Sequence, residues 1–175
     1  KRGILRYRVR NPRAYGWYAN EFVYTEGAAP LEFIVRQHDD GSASLEPIAD
    51  YTQKESNVWG IHARNREQNF GLNLLMDPEI DFVTLLGQAG TGKTLLTLAA
   101  GLTQTLDEKR YNEIVMTRAT VPVGEDIGFL PGTEEEKMEP WMGALQDNLD
   151  VLHETGGRDH GAWGRAVDRK STRLN

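Results

Sequence analysis

The chain has 175 residues, of which 26% are charged and 39% hydrophobic, a composition typical of soluble globular proteins. Its net charge of −6 argues against a protein that binds nucleic acid over its whole surface. The absence of cysteine excludes disulfide frameworks and thiolate metal sites. No apolar run approaches the length of a membrane span, so we expect a cytoplasmic protein without a membrane contact. The chain starts at Lys1 without a Met, which predicts a fragment or a processed piece.

The first fifty residues predict a small antiparallel β unit. Apolar and polar residues alternate near residues 3–10, 21–24, 31–36 and 43–48, as they do in half-buried strands. Asn11-Pro12 and the stretches 27–30 and 39–42 carry turn residues between these segments.

Two residue sets in this unit each allow two interpretations. The first thirteen residues hold six cations and no acid, namely Lys1, Arg2, Arg6, Arg8, Arg10 and Arg13. They form either the solvated face of an edge strand or an edge that contacts phosphates. Aromatic residues recur through the same unit, at Tyr7, Tyr15, Trp17, Tyr18, Phe22 and Tyr24. They form either its core, the commoner arrangement, or a surface on which bases stack.

A polar linker over 51–58 leads to a predicted helix over 66–76. Asn65 is typical of an N-cap, Gln68 follows at the fourth place of a capping-box variant, and Asp77-Pro78 ends the helix. Gln68 has a second interpretation, because an amide supplies one donor and one acceptor side by side and can read the edge of an adenine.

The clearest chemical signal is a glycine-rich stretch that fits the pattern G-x-x-x-x-G-K-[ST]. It lies between a predicted buried strand over 81–86 and a predicted helix over 94–102. In such a loop, backbone N–H groups and the helix N-terminus face the phosphates of a nucleotide. Lys93 is expected to reach the β- and γ-phosphates, and the Thr94 hydroxyl to ligate Mg²⁺. The predicted nucleotide-binding residues are Gly87, Gln88, Ala89, Gly90, Thr91, Gly92, Lys93 and Thr94.

Beyond this helix the sequence predicts a second buried strand over 113–117, parallel to the first. Arg118 follows at the edge where open α/β sheets bind ligands, so it contacts either phosphate or a nucleic-acid backbone, or it forms a surface ion pair. A further helix is predicted from the capping box at 133–136 to about residue 152. His153 and His160 lack the companions of a metal site.

Several of these stretches together resemble the PhoH-like family. The phosphate loop at 87–94 is one, and the more specific one is Asp126-Ile127-Gly128-Phe129-Leu130-Pro131-Gly132 with Glu136-Lys137-Met138 and Pro140-Trp141 after it. The resemblance covers residues 57–152. It implies an α/β fold, a P-loop NTPase core with a parallel sheet over 57–175, preceded by the small antiparallel β unit. Residues 1–56 are similar to the connecting region of members that carry an N-terminal PIN nuclease domain.

The resemblance also implies ATP hydrolysis coupled to single-stranded RNA, with helicase-like behaviour in members fused to a PIN domain. The phosphate loop would hold ATP and Mg²⁺, with Lys93 and Thr94 as the catalytic residues. Gln68 would sit at the adenine and Arg118 on the RNA or phosphate side, although Ala119 follows it where many members have Pro. Some ATPases with this loop assemble as homo-oligomeric rings.

One expected element is missing from the sequence. Hydrolysis in this class needs an acid after a second apolar strand, whereas the segment 113–117 leads into Arg118. We therefore expect a truncated piece with an incomplete parallel sheet, whose acidic strand lies beyond Asn175. The last six residues, 170–175, resemble translated sequencing adapter. The alternative function is a nucleotide-binding regulatory or interaction module that does not hydrolyse ATP; a small-molecule kinase would need an arginine-bearing lid.

Overall fold

A computed structural model describes residues 6–9, 15–27, 30–117 and 134–155. The chain divides into two compact units. The sheet unit comprises residues 1–57 and 62–85, and the phosphate-loop unit comprises residues 58–61 and 86–175. The predicted boundary at 56/57 between a connecting region and an ATPase domain stays a prediction.

The sheet unit contains the predicted antiparallel sheet. Its strands are β1 (Tyr7–Val9), β2 (Phe22–Tyr24), β3 (Glu32–Gln37) and β4 (Ala43–Pro47), in the order β1-β4-β3-β2. All neighbouring strands are antiparallel, with Tyr7 opposite Leu45 and Leu45 opposite Val35. The turn between β3 and β4 places Gly41 at a φ of 76°, a conformation that favours glycine.

Helix α1 (Arg66–Met76) covers one face of this sheet. Phe22 of β2 stacks on Phe70 with ring centroids 4.1 Å apart. Arg66 Nε donates to Glu32 on β3 at 2.9 Å. Ile34 and Leu72 are buried between the sheet and the helix, which makes this the core of the unit.

The bounds of α1 confirm the sequence prediction. The Asn65 side chain accepts a hydrogen bond from Gln68 N at 2.9 Å, so Asn65 is the N-cap. The Gln68 side chain in turn accepts from Arg64 N at 2.8 Å. At the other end, the Asp77 carboxylate pairs with the Arg36 guanidinium on β3. A hydrogen-bonded cap at the N-terminus and an ion pair at the C-terminus therefore hold the two ends of the helix.

The regular elements in the described part of the phosphate-loop unit are helices. Its elements are α2 (Lys93–Leu102), which continues into a π-helical turn over Thr103–Asp107, and α3 (Glu134–Thr155). Leu96, Leu98 and Leu102 of α2 are buried, and Leu152 of α3 is fully buried. The predicted helices are confirmed, and the last one extends three residues beyond its predicted end.

The turn over residues 58–61 closes against the end of α3. Trp59 and Gly60 have φ values of 50° and 74°, as in a type I′ turn, and Val58 and Ile61 exchange both backbone hydrogen bonds at 3.0 and 2.9 Å. A Cβ on Gly60 would lie 2.3 Å from the Thr155 carbonyl oxygen. Gly60 is therefore required for this close approach.

The prediction of two parallel strands is not confirmed. Residues 81–86 and 113–117 lie within the described chain, and neither segment pairs as a strand there. Phe82, Leu86 and Val115 are 85%, 97% and 72% exposed. An apolar segment becomes a central strand only when neighbouring strands satisfy its backbone groups on both sides, and the described residues provide no such neighbours.

The interpretation of the aromatic residues as core is wrong for four of them. Tyr7, Tyr15, Tyr18 and Tyr24 are between 44% and 77% exposed. β1 and β2 are the edge strands and have three residues each, so the rings of Tyr7 and Tyr24 on them have sheet on one side only.

Among the described residues, no helix is both long and apolar enough to cross a membrane.

Candidate phosphate-binding site

The loop that precedes α2 has a backbone conformation that only glycine adopts easily at two of its positions. Gly90 and Gly92 have φ values of 77° and 82°, in the left-handed region that side chains disfavour. Gly92 is the N-cap of α2, and its carbonyl accepts from Leu96 N at 2.9 Å. Residues 87–91 are all exposed, so their backbone groups are accessible to a ligand. A glycine-rich turn that leads into a helix N-terminus is a backbone arrangement that can bind an anion.

Lys93 brings a cation to the same loop. Its Nζ donates to the carbonyl oxygen of Gly87 at 2.9 Å, to that of Gln88, and to Thr91 Oγ1 at 3.0 Å. Thr91 Oγ1 also donates to the Gln88 carbonyl at 2.9 Å. These contacts hold the ammonium group across the loop rather than out in solvent, which reduces the entropy that it loses on meeting a phosphate.

The start of α2 adds a favourable field. Lys93 and Thr94 are its first two residues, and Thr94 is exposed. The N-terminal N–H groups of a helix carry partial positive charge, equivalent to about half an elementary charge. The Lys93 ammonium and this helix end therefore both favour a negatively charged group at the loop.

Packing inside the unit fixes the direction of α2. The helix buries Leu96, Leu98 and Leu102, and Gly101 faces Ile114. A Cβ on Gly101 would lie 3.2 Å from Ile114 Cδ1, closer than side chains normally pack. The absence of a side chain at Gly101 therefore lets Ile114 pack against α2.

A sequence profile described as "PhoH-like protein" matches residues 60–160, more than half of the chain. The chain belongs to the PhoH-like family. The resemblance carried by residues 87–94 and 126–132 is thereby confirmed.

Individual relatives agree with this assignment. Protein PhoH2 of Bacillus subtilis (strain 168) is 41% identical over 152 residues, which cover 82% of this chain and 32% of that protein. Protein PhoH2 of Mycolicibacterium smegmatis is 42% identical over 66% of this chain and 26% of its own length. The PhoH-like protein of Bacillus subtilis (strain 168) is 40% identical over 46% of this chain and 24% of its own length. The chain thus spans about a third or less of the relatives that it matches, and no solved structure matches it significantly.

The eight predicted residues of the loop lie together at the start of α2 in the phosphate-loop unit of this PhoH-like chain. Gln68 belongs to the sheet unit, where it takes part in capping α1. Arg118 lies outside the described residues, as do the signature segment 126–132, His160 and the last six residues.

No three His, Asp or Glu side chains lie together as a metal site in the part of the chain that the structure describes. The Thr94 hydroxyl at the start of α2 is a suitable magnesium ligand, since Mg²⁺ prefers oxygen and commonly takes few protein ligands alongside the phosphates of a nucleotide.

Three ionisable groups of the sheet unit have shifted pKa values. The Ser42 hydroxyl lowers the pKa of Asp40, and the Thr52 hydroxyl lowers the pKa of Asp50. The hydrogen bond to Glu32 raises the pKa of Arg66. Each shift comes first from a hydrogen bond to the charged form, so these groups stabilise turns and the helix–sheet contact.

Sequence reasoning did not find the internal contacts of the loop. The motif identifies Lys93 but leaves the identity of Thr91 open, and the Thr91 hydroxyl contacts both the Lys93 ammonium and the Gln88 carbonyl. A hydroxyl two residues before the motif lysine is a signal that could have suggested this contact.

Proposed function

We propose that this chain binds ATP with Mg²⁺ at the phosphate loop, as part of a PhoH-like ATPase whose ATP turnover is coupled to single-stranded RNA. The observation that carries the proposal is the Lys93 ammonium held over Gly87 and Thr91 at the start of α2. Family membership supports nucleotide binding at this loop.

The binding step follows from the local geometry. On meeting a triphosphate, the Lys93 ammonium exchanges its bonds to the loop carbonyls for bonds to phosphate oxygens, which are charged and therefore stronger acceptors. The backbone N–H groups of the glycine-rich loop bond the phosphates from the other side. The Thr94 hydroxyl would hold Mg²⁺, and the ion would supply positive charge to offset the negative charge that develops during phosphoryl transfer.

Hydrolysis is a separate part of the proposal. It requires an acid to hold the metal and position water, and the predicted strand over 113–117 leads into Arg118 instead of an acid. In the proposed ATPase this acid comes from elsewhere in a longer protein, as does any arginine that stabilises the transition state. Cytoplasmic localisation and a homo-oligomeric ring belong to the same proposal.

The second candidate is a nucleotide-binding regulatory or interaction module that does not hydrolyse ATP, a function for which the loop and its Lys93 contacts are sufficient. RNA-stimulated turnover distinguishes the two. Release of phosphate that rises when single-stranded RNA is added supports the ATPase, whereas ATP binding without turnover supports the module.

The substitution Lys93→Ala tests the binding site. We expect it to remove measurable binding of a fluorescent ATP analogue in the presence of Mg²⁺, because the loop loses its only motif cation and a set of charge-assisted hydrogen bonds. Fluorescence anisotropy titration measures the affinity. Lys54→Ala removes the same charge from an exposed position of the polar linker and serves as the control.

Thr94→Ala completes this test. It should weaken nucleotide binding in Mg²⁺ and have little effect in EDTA, because the hydroxyl acts through the metal. Unchanged affinity in the Lys93→Ala variant, with circular dichroism like that of the unsubstituted chain, would remove the phosphate loop as the binding site.

A further inference from the structure

The Lys93 ammonium uses all of its hydrogen-bond donors inside the phosphate loop. A lysine ammonium has three donors and no acceptor. Lys93 Nζ donates to three oxygens, namely the Gly87 carbonyl at 2.9 Å, the Gln88 carbonyl, and Thr91 Oγ1 at 3.0 Å. Each phosphate oxygen that bonds to this ammonium therefore takes the place of one of these contacts.

The Thr91 hydroxyl differs from the other two acceptors because it also donates. Its Oγ1 donates to the Gln88 carbonyl oxygen at 2.9 Å while it accepts from Lys93 Nζ. A hydroxyl has one donor and two lone pairs, so it can make both contacts at once. Donation to the carbonyl also strengthens the hydroxyl oxygen as an acceptor, because linked hydrogen bonds polarise one another.

This second contact lowers the cost of moving the ammonium. When Lys93 releases the Gln88 carbonyl, that oxygen keeps its hydrogen bond from Thr91. Gly87 is exposed, so water can bond to its carbonyl after the ammonium has left it. The two carbonyls are therefore the contacts that the ammonium can give up for two phosphate oxygens, and the bond to Thr91 is the one that it can keep.

The loop leaves space beside this hydroxyl and ammonium. A Cβ added to Gly87 would lie 3.5 Å from Thr91 Oγ1 and 3.9 Å from Lys93 Nζ, within van der Waals contact of both. Because glycine has no side chain, this side of the pair stays open. A ligand can approach the ammonium there without displacing the hydroxyl.

We propose that Thr91 is a positioning residue for nucleotide binding. Its hydroxyl keeps hold of the Lys93 ammonium while the ammonium exchanges the carbonyls of Gly87 and Gln88 for oxygens of the β- and γ-phosphates. The inference rests on the proposed function and adds a residue to it. The phosphate-loop pattern allows any residue at this position, so the role belongs to the threonine of this chain.

The chain offers a matched control in Thr97. It is an exposed threonine of α2, and its hydroxyl donates to the Lys93 carbonyl oxygen at 2.9 Å. This hydrogen bond goes to the backbone of the lysine, whereas that of Thr91 goes to the ammonium. Thr91→Val and Thr97→Val therefore remove the same hydroxyl from two exposed threonines that each contact Lys93.

The first experiment measures the affinity of the whole 175-residue chain for a fluorescent ATP analogue with Mg²⁺, by anisotropy. Thr91→Val should weaken binding by about fivefold or more, because the ammonium loses a hydrogen bond that it keeps in the complex. Thr91→Ser retains the hydroxyl and should bind within about twofold of the unsubstituted chain. Thr97→Val should also stay within about twofold, since its hydroxyl does not contact the ammonium.

The second experiment uses no nucleotide. Carbon-13 relaxation of the Lys93 Cε group gives the order parameter of this side chain in the empty site. Thr91→Val should lower that order parameter, because the ammonium is then held by backbone carbonyls alone. Thr91→Ser and Thr97→Val should leave it unchanged. A role of Thr91 in the stability of the loop alone would not produce this pattern.

Three results would overturn the inference. One is the same ATP affinity in Thr91→Val as in Thr97→Val. Another is a Thr91→Ser variant that binds as weakly as Thr91→Val, since the hydroxyl would then not be the group that acts. The third is tighter ATP binding by Thr91→Val, which would show that the hydroxyl competes with the phosphates for the ammonium.

The failure of this inference can be told apart from the failure of the proposed function. A chain that loses ATP binding in Lys93→Ala but binds equally well in Thr91→Val and Thr97→Val retains the proposed function and loses the inference. A chain that binds no ATP, although Thr91→Val alone lowers the order of the Lys93 side chain, loses the proposed function. Thr91 then still positions the ammonium, but not for a nucleotide.

Discussion

The sheet unit and the phosphate-loop unit use their polar groups in opposite ways. In the sheet unit, charged side chains form pairs that link strands to the helix, such as Arg36 with Asp77 and Glu32 with Arg66. In the phosphate-loop unit, Lys93 bonds only to the loop that carries it, among the described contacts, and residues 87–91 are exposed. The first arrangement stabilises a fold, whereas the second keeps charge and backbone donors accessible to a ligand.

Apolar residues differ between the regular elements and the segments 81–86 and 113–117. Val35 of β3 and Leu98 of α2 are buried, while Phe82, Leu86 and Val115 are 85%, 97% and 72% exposed. An exposed apolar side chain forgoes the stabilisation of about 25 cal/mol for each Å² that burial would provide. The comparison indicates that each unit has a core of its own, whereas the segments 81–86 and 113–117 keep much of their apolar surface outside it.

The largest expected effect compares two fully buried leucines, one in each unit. Leu72→Ala and Leu152→Ala each remove a side chain that is 0% exposed. Each should lower the free energy of unfolding of its own unit by about 3 kcal/mol, through lost burial and a residual cavity. Hydrogen exchange measured by mass spectrometry locates the loss, in β3, β4 and α1 for Leu72 and in α2 and α3 for Leu152.

A weaker effect at Leu152 would sharpen the comparison, because a loosely packed site can collapse around a truncated side chain. An equal effect at both positions would show that the phosphate-loop unit is packed as tightly as the sheet unit. Exposed Leu31→Ala, at a side chain that is 57% exposed, controls for the change of residue type.

The next largest effect concerns the ion pair at the end of α1. Asp77→Asn removes the carboxylate that pairs with Arg36, where both side chains are less than a fifth exposed. We expect a loss of about 2 kcal/mol in the free energy of unfolding by urea, typical of hydrogen bonds to charged groups. Arg36 keeps Glu46 and Asn20 as partners, which limits the loss.

Asp39→Asn, in the exposed turn between β3 and β4, is the control for the loss of one negative charge. The same midpoint for the Asp77→Asn variant and this control would show that the pair contributes nothing beyond net charge.

The smallest expected effect separates the two interpretations of Gln68. Asn65→Ala and Gln68→Ala each remove one side of the hydrogen-bonded start of α1 and should each cost about 1 kcal/mol of stability. If the Gln68 amide also reads adenine, Gln68→Ala should weaken ATP binding several-fold more than Asn65→Ala does. Equal ATP affinities in the two variants would leave Gln68 with the capping role alone.

The elements that the sequence predicted correctly are those with local causes. The bounds of α1 follow from Asn65 and Asp77-Pro78, and the phosphate loop follows from glycines whose positive φ values the motif encodes. The register of β3 and β4 follows from alternation and from the turn at Gly41. In each case the determining residues lie within a few positions of the feature.

The predictions that were not confirmed depend on distant partners. Segments 81–86 and 113–117 have the composition of central strands, but a strand requires hydrogen bonds from neighbours that a local pattern does not specify. The exposure of Tyr7 and Tyr24 depends on β1 and β2 being edge strands, which is a property of strand order. The contacts of Lys93 within its own loop likewise depend on the path of the loop backbone, which the motif does not specify.

The turn over residues 58–61 limits where the gene can be divided to express one unit alone. It lies in the sequence between two parts of the sheet unit, yet it belongs to the phosphate-loop unit through Gly60 and Thr155. No single cut of the chain therefore yields both units whole. The family profile begins at residue 60, in the middle of this turn. A protein expressed from that boundary would lose Val58 and Trp59 from the phosphate-loop unit and would carry α1 without its sheet.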